Sequence, residues 1–251
     1  MAFGLCNATA IYQRMMDNAF AGLKWVVCLV YLDDVLVWAK LWDEHFHRLE
    51  LVLERARERY ICLKAVKSYV GFTELTCLGH TVNQYGRCAD VKKTVAIDAL
   101  ANPTNAREVA TFLGMTGFYS EYIKDYAEIA YPLNELRKKG VKYVFDQACV
   151  SAVATLKAAL VSDSVLVHPD FTKPFIVQPD ASRFAVGGVL VQLDDKGRER
   201  PISFRSKKLT FFFPYFISLL ISKSSQTRAF PSPVGLEVGH KTNMSYSIYI
   251  I

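Results

Sequence analysis

Three features common in secreted and membrane proteins are missing from this sequence. Cysteine is sparse, and the six residues among 251 follow no regular spacing, so neither a disulfide framework nor a zinc finger is indicated. The first residues lack a basic stretch followed by an apolar one, which argues against a signal peptide. The longest apolar run, 211–221, is interrupted by Pro214 and Ser218 and is shorter than the ~18 residues of a membrane-spanning helix. The sequence therefore predicts an intracellular protein with no membrane partner.

The composition is that of a folded, basic protein. Apolar residues make up 51% of the chain and charged residues 22%, which is ordinary for globular domains with buried cores. The net charge is +6. Excess positive charge favours a polyanionic partner such as nucleic acid, because binding to phosphates releases counterions. Composition alone is equally consistent with a basic protein that has no such partner.

Two acidic residues interrupt an apolar segment near the N-terminus. The valine-rich run 25–32 indicates a buried strand, Asp33-Asp34 break it, and 35–39 resume it. Two apolar strands separated by two turn-forming residues predict a β-hairpin with both carboxylates at its tip. Carboxylates on a rigid tip supply the oxygen ligands that Mg²⁺ requires, and paired cations of this kind promote phosphoryl transfer. A plain Asp-Asp turn is the simpler alternative.

Helical spacing marks two segments before residue 61 and a helix start beyond residue 100. In 8–20 and 41–60 apolar residues recur every three or four positions. Asn105 followed by Glu108 has the spacing of a capping box. The predicted inward side chains are Ile11, Met15 and Phe20 in the first segment and Trp42, Phe46, Leu49, Val52, Leu53, Ala56 and Tyr60 in the second.

The pattern changes to strands in the last third of the chain. A helix is predicted over 148–160, and an antiparallel meander follows it. The turn sequence Asp194-Asp195-Lys196-Gly197 separates the last two strands. After residue 210 the periodicity disappears. The predicted strands of the meander are 174–178, 186–193 and 201–206.

Short motifs along most of the chain resemble one family of enzymes. Tyr31-Leu32-Asp33-Asp34 is preceded by Phe3-Gly4-Leu5, Asn7-Ala8 and Gln13-Arg14 and followed by Leu78-Gly79-His80. Later matches are Phe112-Leu113-Gly114, Phe118-Tyr119, Pro132-Leu133, Pro169-Asp170-Phe171 and Asp180-Ala181-Ser182. In order and spacing these motifs resemble the reverse transcriptases of gypsy-type long-terminal-repeat retrotransposons over roughly 1–210. The resemblance implies an RNA-directed DNA polymerase that carries out two-metal nucleotidyl transfer.

The resemblance also implies an α+β fold with three domains. A partial right-hand polymerase palm is expected over 1–90, and helices of the thumb and connection over 91–145. The antiparallel meander would belong to a truncated ribonuclease H-like domain over 146–210. The tail 211–251 has no counterpart in the family, and so abrupt a change is typical of a frameshift or a mis-joined exon.

Individual side chains acquire roles through the same resemblance. Asp33 would be a direct ligand of Mg²⁺, with Asp34 beside it, and Asp180 matches the first ribonuclease H carboxylate. Lys67 is equally consistent with an ordinary exposed lysine. The residues that would contact the nucleotide or the primer–template are Phe3, Gly4, Gln13, Tyr31, Lys67, Gly79 and His80.

The sequence departs from the family where further carboxylates are expected. The family places another polymerase aspartate well upstream of Phe3-Gly4-Leu5, and only one of four ribonuclease H carboxylates has a match. Mg²⁺ is therefore expected to bind weakly, because a two-metal site that lacks a ligand loses charge and geometry. We expect the chain to be inactive by itself, unless a complementing polyprotein fragment supplies the rest.

Three functions remain open at this stage. The enzymatic one has an RNA/DNA primer–template duplex and nucleoside triphosphates as partners. The second is a remnant that binds nucleic acid without chemistry, through basic residues and the aromatic surface of Tyr119 and Tyr122. The third is a non-functional relic of a mobile element. The basic residues considered for such a groove are Lys64, Lys67, Lys92, Lys93, Lys124, Arg137, Lys138 and Lys139.

Overall fold

A computed structural model describes residues 5–162, 164–182, 184–209, 228–230 and 247–250. Phe3 and Gly4, the first two expected nucleotide contacts, lie outside the described residues. Helices and antiparallel strands mix along the chain, as the α+β prediction requires. The chain divides into two compact units. The first runs to Leu78 and includes 82–84 and the strand 247–250, and the second contains Gly79–Thr81 and the described residues from Tyr85 to Phe230.

The first unit is a sheet with two helices. Strands β1 and β2 pair antiparallel, with Val30 opposite Val35, and the sheet order is β1-β2-β11-β3. Valines of β1 and β2 are buried in its core, because alternate residues of a strand point to the same face. The elements are α1 (Ala8–Ala19), β1 (Cys28–Tyr31), β2 (Asp34–Ala39), α2 (Trp42–Glu58), β3 (Tyr69–Phe72), β4 (Glu74–Cys77) and, near the C-terminus, β11 (Ser247–Ile250).

Helix α1 buries a different face from the one predicted. Met16 and Ala19 enter the core together with Phe20, whereas Ile11 and Met15 remain 53% and 48% exposed. The two exposed residues line an open groove of about 670 Å³. Apolar residues occupy more than one side of this helix, so its spacing gives the period but not the face that packs against β1.

Helix α2 also packs through a face that differs from the predicted one. Val52 and Ala56 are buried as predicted, and Leu49 packs against the core. His45, which was not among the predicted inward residues, is also buried. The expectation that four other residues face inward is wrong, because the helix packs through a stripe about one position away. These exposed residues are Trp42, Phe46, Leu53 and Tyr60.

The second unit begins with strands and continues with helices around one apolar core. The predicted cap at Asn105 is confirmed: its Oδ1 accepts hydrogen bonds from the backbone N–H groups of Arg107 and Glu108, at 3.1 and 3.0 Å. The Glu108 carboxylate accepts from the Thr104 N–H, at 2.8 Å, instead of from the Asn105 N–H of a full capping box. The elements are β5 (His80–Asn83), β6 (Gly86–Ala89), α3 (Val91–Asp98), α4 (Ala106–Phe118), α5 (Tyr126–Ile129), α6 (Tyr131–Glu135) and α7 (Gln147–Val161).

The predicted helix over 148–160 and the meander after it are confirmed. The chain forms β7 (Phe175–Ala181), β8 (Ala185–Leu193), β9 (Glu199–Lys208) and β10 (Arg228–Phe230), in the sheet order β10-β7-β8-β9. Asp194 Oδ1 caps the predicted turn by accepting from the Lys196 and Arg198 N–H groups, both at 2.9 Å. Within 211–251, where no strand is predicted, the described residues are the two short strands β10 and β11.

None of the helices in the described part of the chain has both the length and the apolar character needed to cross a membrane.

Candidate functional site

The acidic hairpin turns one residue earlier than predicted. Tyr31 pairs with Asp34, so the turn consists of Leu32 and Asp33, and Asp34 is already the first residue of β2. Leu32 has a φ of 51°. Two-residue hairpins favour such left-handed positions because their twist matches that of the strands, although a leucine adopts them at a cost of roughly 1 kcal/mol.

The two carboxylates at the tip are accessible. Asp33 is exposed and Asp34 is half-buried, and Tyr31 beside them is 56% exposed. Among the described residues of the first unit, the ion pairs involve other carboxylates, those of Asp17, Glu44 and Glu58. Asp33 and Asp34 thus present two adjacent, solvent-accessible carboxylates, the kind of oxygen ligand that a hard cation prefers. In the part of the chain that the structure describes, no group of three or more His, Cys, Asp or Glu residues is placed to hold a metal.

The Gln13 side chain contacts the backbone of this hairpin. Its Oε1 accepts from the Leu32 N–H at 2.7 Å, and its Nε2 donates to the Val30 carbonyl at 3.1 Å. Nε2 also donates to Asp17 Oδ1 at 2.9 Å, and Asp17 accepts from Lys24. The Lys24 and Gln13 hydrogen bonds, in that order, lower the pKa of Asp17. Gln13 therefore links α1 to both sides of Tyr31.

Tyr12 is a second neighbour of the tip that the sequence analysis did not single out. The pKa of its phenol is raised, chiefly by burial and further by the negative charge of Asp33 and a hydrogen bond with it. Tyr12 precedes Gln13 on α1, so the same helix brings both side chains to the hairpin. Lys67 is exposed at the end of a 3-10 turn, Ala65–Lys67, and none of its hydrogen bonds or ion pairs in the described region reaches Asp33 or Asp34.

In the second unit, the Gly79-His80 segment is held by aromatic side chains. The Tyr119 hydroxyl donates to the Gly79 carbonyl at 2.9 Å, and the His80 ring stacks on Phe118 with centroids 5.1 Å apart. Tyr122 lies 2.8 Å from His80 Nδ1. Tyr119 and Tyr122 are only 4% and 3% exposed, so the expectation that they offer aromatic surface to nucleic acid is wrong.

Burial governs the ionisation of this cluster. The pKa of His80 is lowered chiefly by burial, with the positive charge of Arg87 acting in the same direction and the carboxylate of Glu121 opposing it. Arg87 and Glu121 form a two-bond ion pair at 3.0 and 2.8 Å. His80 is therefore neutral at physiological pH.

Asp180 also lies in the second unit, exposed on β7 opposite Gly187 of β8. Beside it is a groove of about 210 Å³ lined in part by Lys124, Asp125 and Gln178. Burial raises the pKa of Asp125, and the negative charge of Asp180 adds to the effect. Asp125 belongs to none of the motifs, so sequence reasoning could not identify it as a neighbour of Asp180.

Two known protein domains match separate parts of the chain. A domain model described as "Reverse transcriptase (RNA-dependent DNA polymerase)" matches residues 1–82, and one described as "RNase H-like domain found in reverse transcriptase" matches 145–212. The Pol polyprotein from transposon opus of Drosophila melanogaster is 38% identical over 220 residues, covering 83% of this chain and 22% of the relative.

Two further retrotransposon polyproteins are similar over the same share of the chain. The Pol polyprotein from transposon gypsy of Drosophila melanogaster is 30% identical over 221 residues, covering 83% of this chain and 21% of the relative. The transposon Tf2-3 polyprotein of Schizosaccharomyces pombe is 27% identical over 210 residues, covering 84% and 16%. The chain thus spans about a fifth of the length of the curated relatives it matches.

Solved structures with a similar fold come from foamy virus. The protease-reverse transcriptase in complex with dsDNA has a TM-score of 0.74 and 22% identity, over 89% of this chain and 47% of that one. Its complex with RNA/DNA hybrid gives a TM-score of 0.72 and 22% identity, over 89% and 30%. With this fold, both domain matches and relatives at 38% and 30% identity, the chain belongs to the retrotransposon Pol family, as a reverse transcriptase-like segment followed by a ribonuclease H-like region.

Proposed function

We propose that the chain provides the metal-binding hairpin of an RNA-directed DNA polymerase. The observation that carries the proposal is the two-residue turn, which exposes the Asp33 carboxylate beside that of Asp34. Reverse transcriptases generally use divalent metal ions, and adjacent carboxylates suit Mg²⁺. When bound, Mg²⁺ would neutralise charge on the transferred phosphoryl group and polarise the attacking hydroxyl.

The surrounding residues would position the reactants. We assign 1–90 to a palm, 91–145 to thumb and connection helices, and 146–210 to a partial ribonuclease H-like domain. Tyr31 would lie beside the primer end, and Gln13 and Lys67 near the nucleotide and its triphosphate. Gly79 and His80 would hold the primer strand, and Asp180 would be the first ribonuclease H carboxylate.

The polymerase site needs one more carboxylate than the described residues bring together at the hairpin. Two carboxylates at one tip leave a two-metal site short of ligands, and the described residues offer no third. We therefore assign the missing carboxylate to a complementing segment of a Pol polyprotein. The partners are a primer–template duplex, in line with the duplexes in the foamy virus complexes of similar fold, and nucleoside triphosphates.

Primer extension on an RNA template with Mg²⁺ tests this function. The chain alone is expected to give no product. The chain fused behind the preceding reverse transcriptase segment of the transposon opus polyprotein is expected to extend the primer. Asp33→Asn in the fusion should abolish extension. An active fusion that tolerates Asp33→Asn would overturn the proposal, and extension by the chain alone would overturn the claim that its site is incomplete.

Nucleic-acid binding without chemistry is the second candidate, favoured by the net charge of +6. Fluorescence anisotropy with a labelled RNA/DNA hybrid measures it directly. Binding that weakens steeply with salt, by a chain whose fusion stays inactive, would support this candidate. A relic without function predicts neither binding nor extension.

A further inference from the structure

The tip of the acidic hairpin is strained and is held from outside the hairpin. Leu32 occupies a left-handed conformation that a leucine rarely adopts. The turn has only two residues, so any relaxation at Leu32 moves Asp33 directly. Strained residues persist where surrounding contacts fix them. Here the contact is the 2.7 Å hydrogen bond from the Leu32 N–H to Gln13.

The Gln13 carboxamide fits in one orientation only. Its oxygen faces a backbone donor, the Leu32 N–H, while its nitrogen faces two acceptors, the Val30 carbonyl and Asp17 Oδ1. A flipped amide would set its N–H groups against the Leu32 N–H and its oxygen against the Asp17 carboxylate. Both arrangements are repulsive, since an amide nitrogen only donates and a carboxylate only accepts.

Asp17 is itself fixed. It lies one helical turn after Gln13 on α1, and its carboxylate is paired with Lys24 in the segment that leads into β1. A continuous chain of polar contacts therefore runs from Lys24 through Asp17 and Gln13 to the backbone on both sides of Tyr31. None of these three side chains, Lys24, Asp17 and Gln13, is proposed as a metal ligand, and all of their contacts named here lie in the first unit.

We propose that Gln13 is a positioning residue for the Asp33 carboxylate, and that Asp17, paired with Lys24, selects the orientation of the Gln13 amide. This inference rests on the proposed function, because positioning matters only if Asp33 binds a metal. It gives Gln13 a task in addition to its proposed place near the nucleotide, since its amide groups are engaged by the hairpin backbone and by Asp17. Asp17 and Lys24 should therefore also affect metal affinity, because they orient the Gln13 amide that positions the turn.

Three variants of the full chain test whether the orientation of the Gln13 amide matters, or only the presence of a polar side chain at this position. Gln13→Met keeps length and volume but makes no amide hydrogen bonds. Gln13→Glu keeps the acceptor for Leu32 but loses the donor and places a second carboxylate against Asp17. Asp17→Asn keeps an acceptor but removes the charge that disfavours the flipped amide. Asn18→Ala, at an exposed neighbouring position of α1, is the matched control.

Two NMR measurements on ¹⁵N-labelled protein provide the readouts, under conditions where urea titration shows each variant fully folded. The first is hydrogen exchange of the Leu32 amide. We expect it to be roughly fivefold faster in Gln13→Met, which corresponds to the loss of about 1 kcal/mol in one hydrogen bond. The second is Mn²⁺-induced broadening of the Leu32 and Asp33 amide signals, with Asp33→Asn as the negative control. We expect the Mn²⁺ dissociation constant to rise roughly tenfold in Gln13→Met.

The other two variants compare how much the Gln13 donor group and the Asp17 charge contribute to Mn²⁺ affinity. Gln13→Glu should weaken Mn²⁺ binding as well, although it retains the Leu32 acceptor. Asp17→Asn should have a smaller effect, and none when added to Gln13→Met. Unchanged Leu32 exchange and Mn²⁺ affinity in folded Gln13→Met would overturn the inference, as would an equal response in Asn18→Ala. Absence of Mn²⁺ broadening in the unaltered chain would overturn the proposed metal site instead, and Leu32 exchange would then decide alone whether Gln13 holds the turn.

Discussion

The Tyr122 hydroxyl lies 2.8 Å from Nδ1 of His80. Burial raises the pKa of this phenol, so the hydroxyl keeps its proton, and we expect it to be the donor to Nδ1. The His80 ring is neutral, because burial lowers its pKa. A neutral ring that accepts at Nδ1 carries its own proton on Nε2. The hydrogen bond therefore fixes both the tautomer of His80 and the orientation of its ring.

Replacement of Tyr122 by Phe removes only the hydroxyl. We expect the second unit to lose about 1 kcal/mol of unfolding free energy, since one buried hydrogen bond is lost and Nδ1 is left without its donor. The imidazole ¹⁵N shifts should change from one dominant Nε2–H tautomer to a mixture. Tyr119→Phe is the control, because it leaves Nδ1 bonded and removes only the donor to the Gly79 carbonyl. A single unchanged tautomer in Tyr122→Phe would show that this hydroxyl does not orient His80.

The pH dependence of stability in the first unit should reflect His45. Burial lowers the pKa of this ring from 6.5 to about 4, with the charge of Arg48 adding to the effect and Glu44 opposing it. Because the unfolded chain binds the proton first, the free energy of unfolding is constant above pH 6.5 and falls as the pH drops toward 4. Each unit of pKa corresponds to about 1.4 kcal/mol, so the loss is about 2.5 kcal/mol by pH 4.5.

Tryptophan fluorescence isolates this effect. The three tryptophans of the chain, Trp25, Trp38 and Trp42, all belong to the first unit, so urea titrations followed by their emission report on that unit. His45→Leu should remove the loss between pH 6.5 and 4.5 while retaining the slope that carboxylates cause at lower pH. His47→Leu, two residues away at an exposed position, should behave like the unaltered chain. Equal curves for both variants would contradict the assignment to His45.

Local sequence signals predicted the elements well. The helix cap at Asn105, helix α7 and the meander β7–β9 each depend on residues close in sequence, and all three were found. The turn of the acidic hairpin lies one residue earlier than predicted, because Leu32 adopts a left-handed conformation that is rare for leucine. Turn chemistry indicated Asp33-Asp34, and pairing of Tyr31 with Asp34 outweighed it.

Features that depend on tertiary packing were missed. The core-facing sides of α1 and α2 are chosen by the sheet they cover, which is why Ile11 and Trp42 are exposed and His45 is buried. The hydrogen bonds from Gln13 to Val30 and Leu32 join residues 17 and 19 positions apart. Its partner Asp17, four positions along the same helix, was the one local signal that this glutamine faces inward.

Gly86 is a site where one methyl group should disrupt the second unit. Its φ is +150°, and a Cβ there would lie 2.1 Å from the Leu166 carbonyl oxygen. That backbone cannot give way easily, because Arg87 and Leu166 exchange two backbone hydrogen bonds at 2.8 and 2.9 Å. We expect Gly86→Ala to cost at least about 3 kcal/mol, the upper range for overpacked sites.

Gly114→Ala is the matched control for this prediction. Gly114 lies within α4, and a Cβ there meets no atom within 4 Å. Since alanine favours a helix over glycine, this variant should gain up to about 1 kcal/mol. Urea unfolding followed by far-ultraviolet circular dichroism measures both changes. Equal midpoints for the two variants would mean that β6 does not approach Leu166 as described.

Thiol reactivity offers a test of the whole described fold. Cys6 and Cys62 are exposed, Cys88 is half-buried, and the other three cysteines are buried. Burial is the largest cause that raises the pKa of Cys28, Cys77 and Cys149 to about 11. An aromatic disulfide reagent at pH 8 should therefore modify two thiols quickly and Cys88 more slowly, because only the thiolate reacts.

The buried thiols should react only as fast as the protein opens. All six should become reactive in guanidinium, and Cys6→Ser and Cys62→Ser should each remove one equivalent from the fast phase. Rapid modification of all six without denaturant would mean that neither core excludes solvent, and inactivity in primer extension would then reflect an unfolded chain. A fast phase of two equivalents, with three thiols protected, would assign the same inactivity to the incomplete set of carboxylates around Asp33.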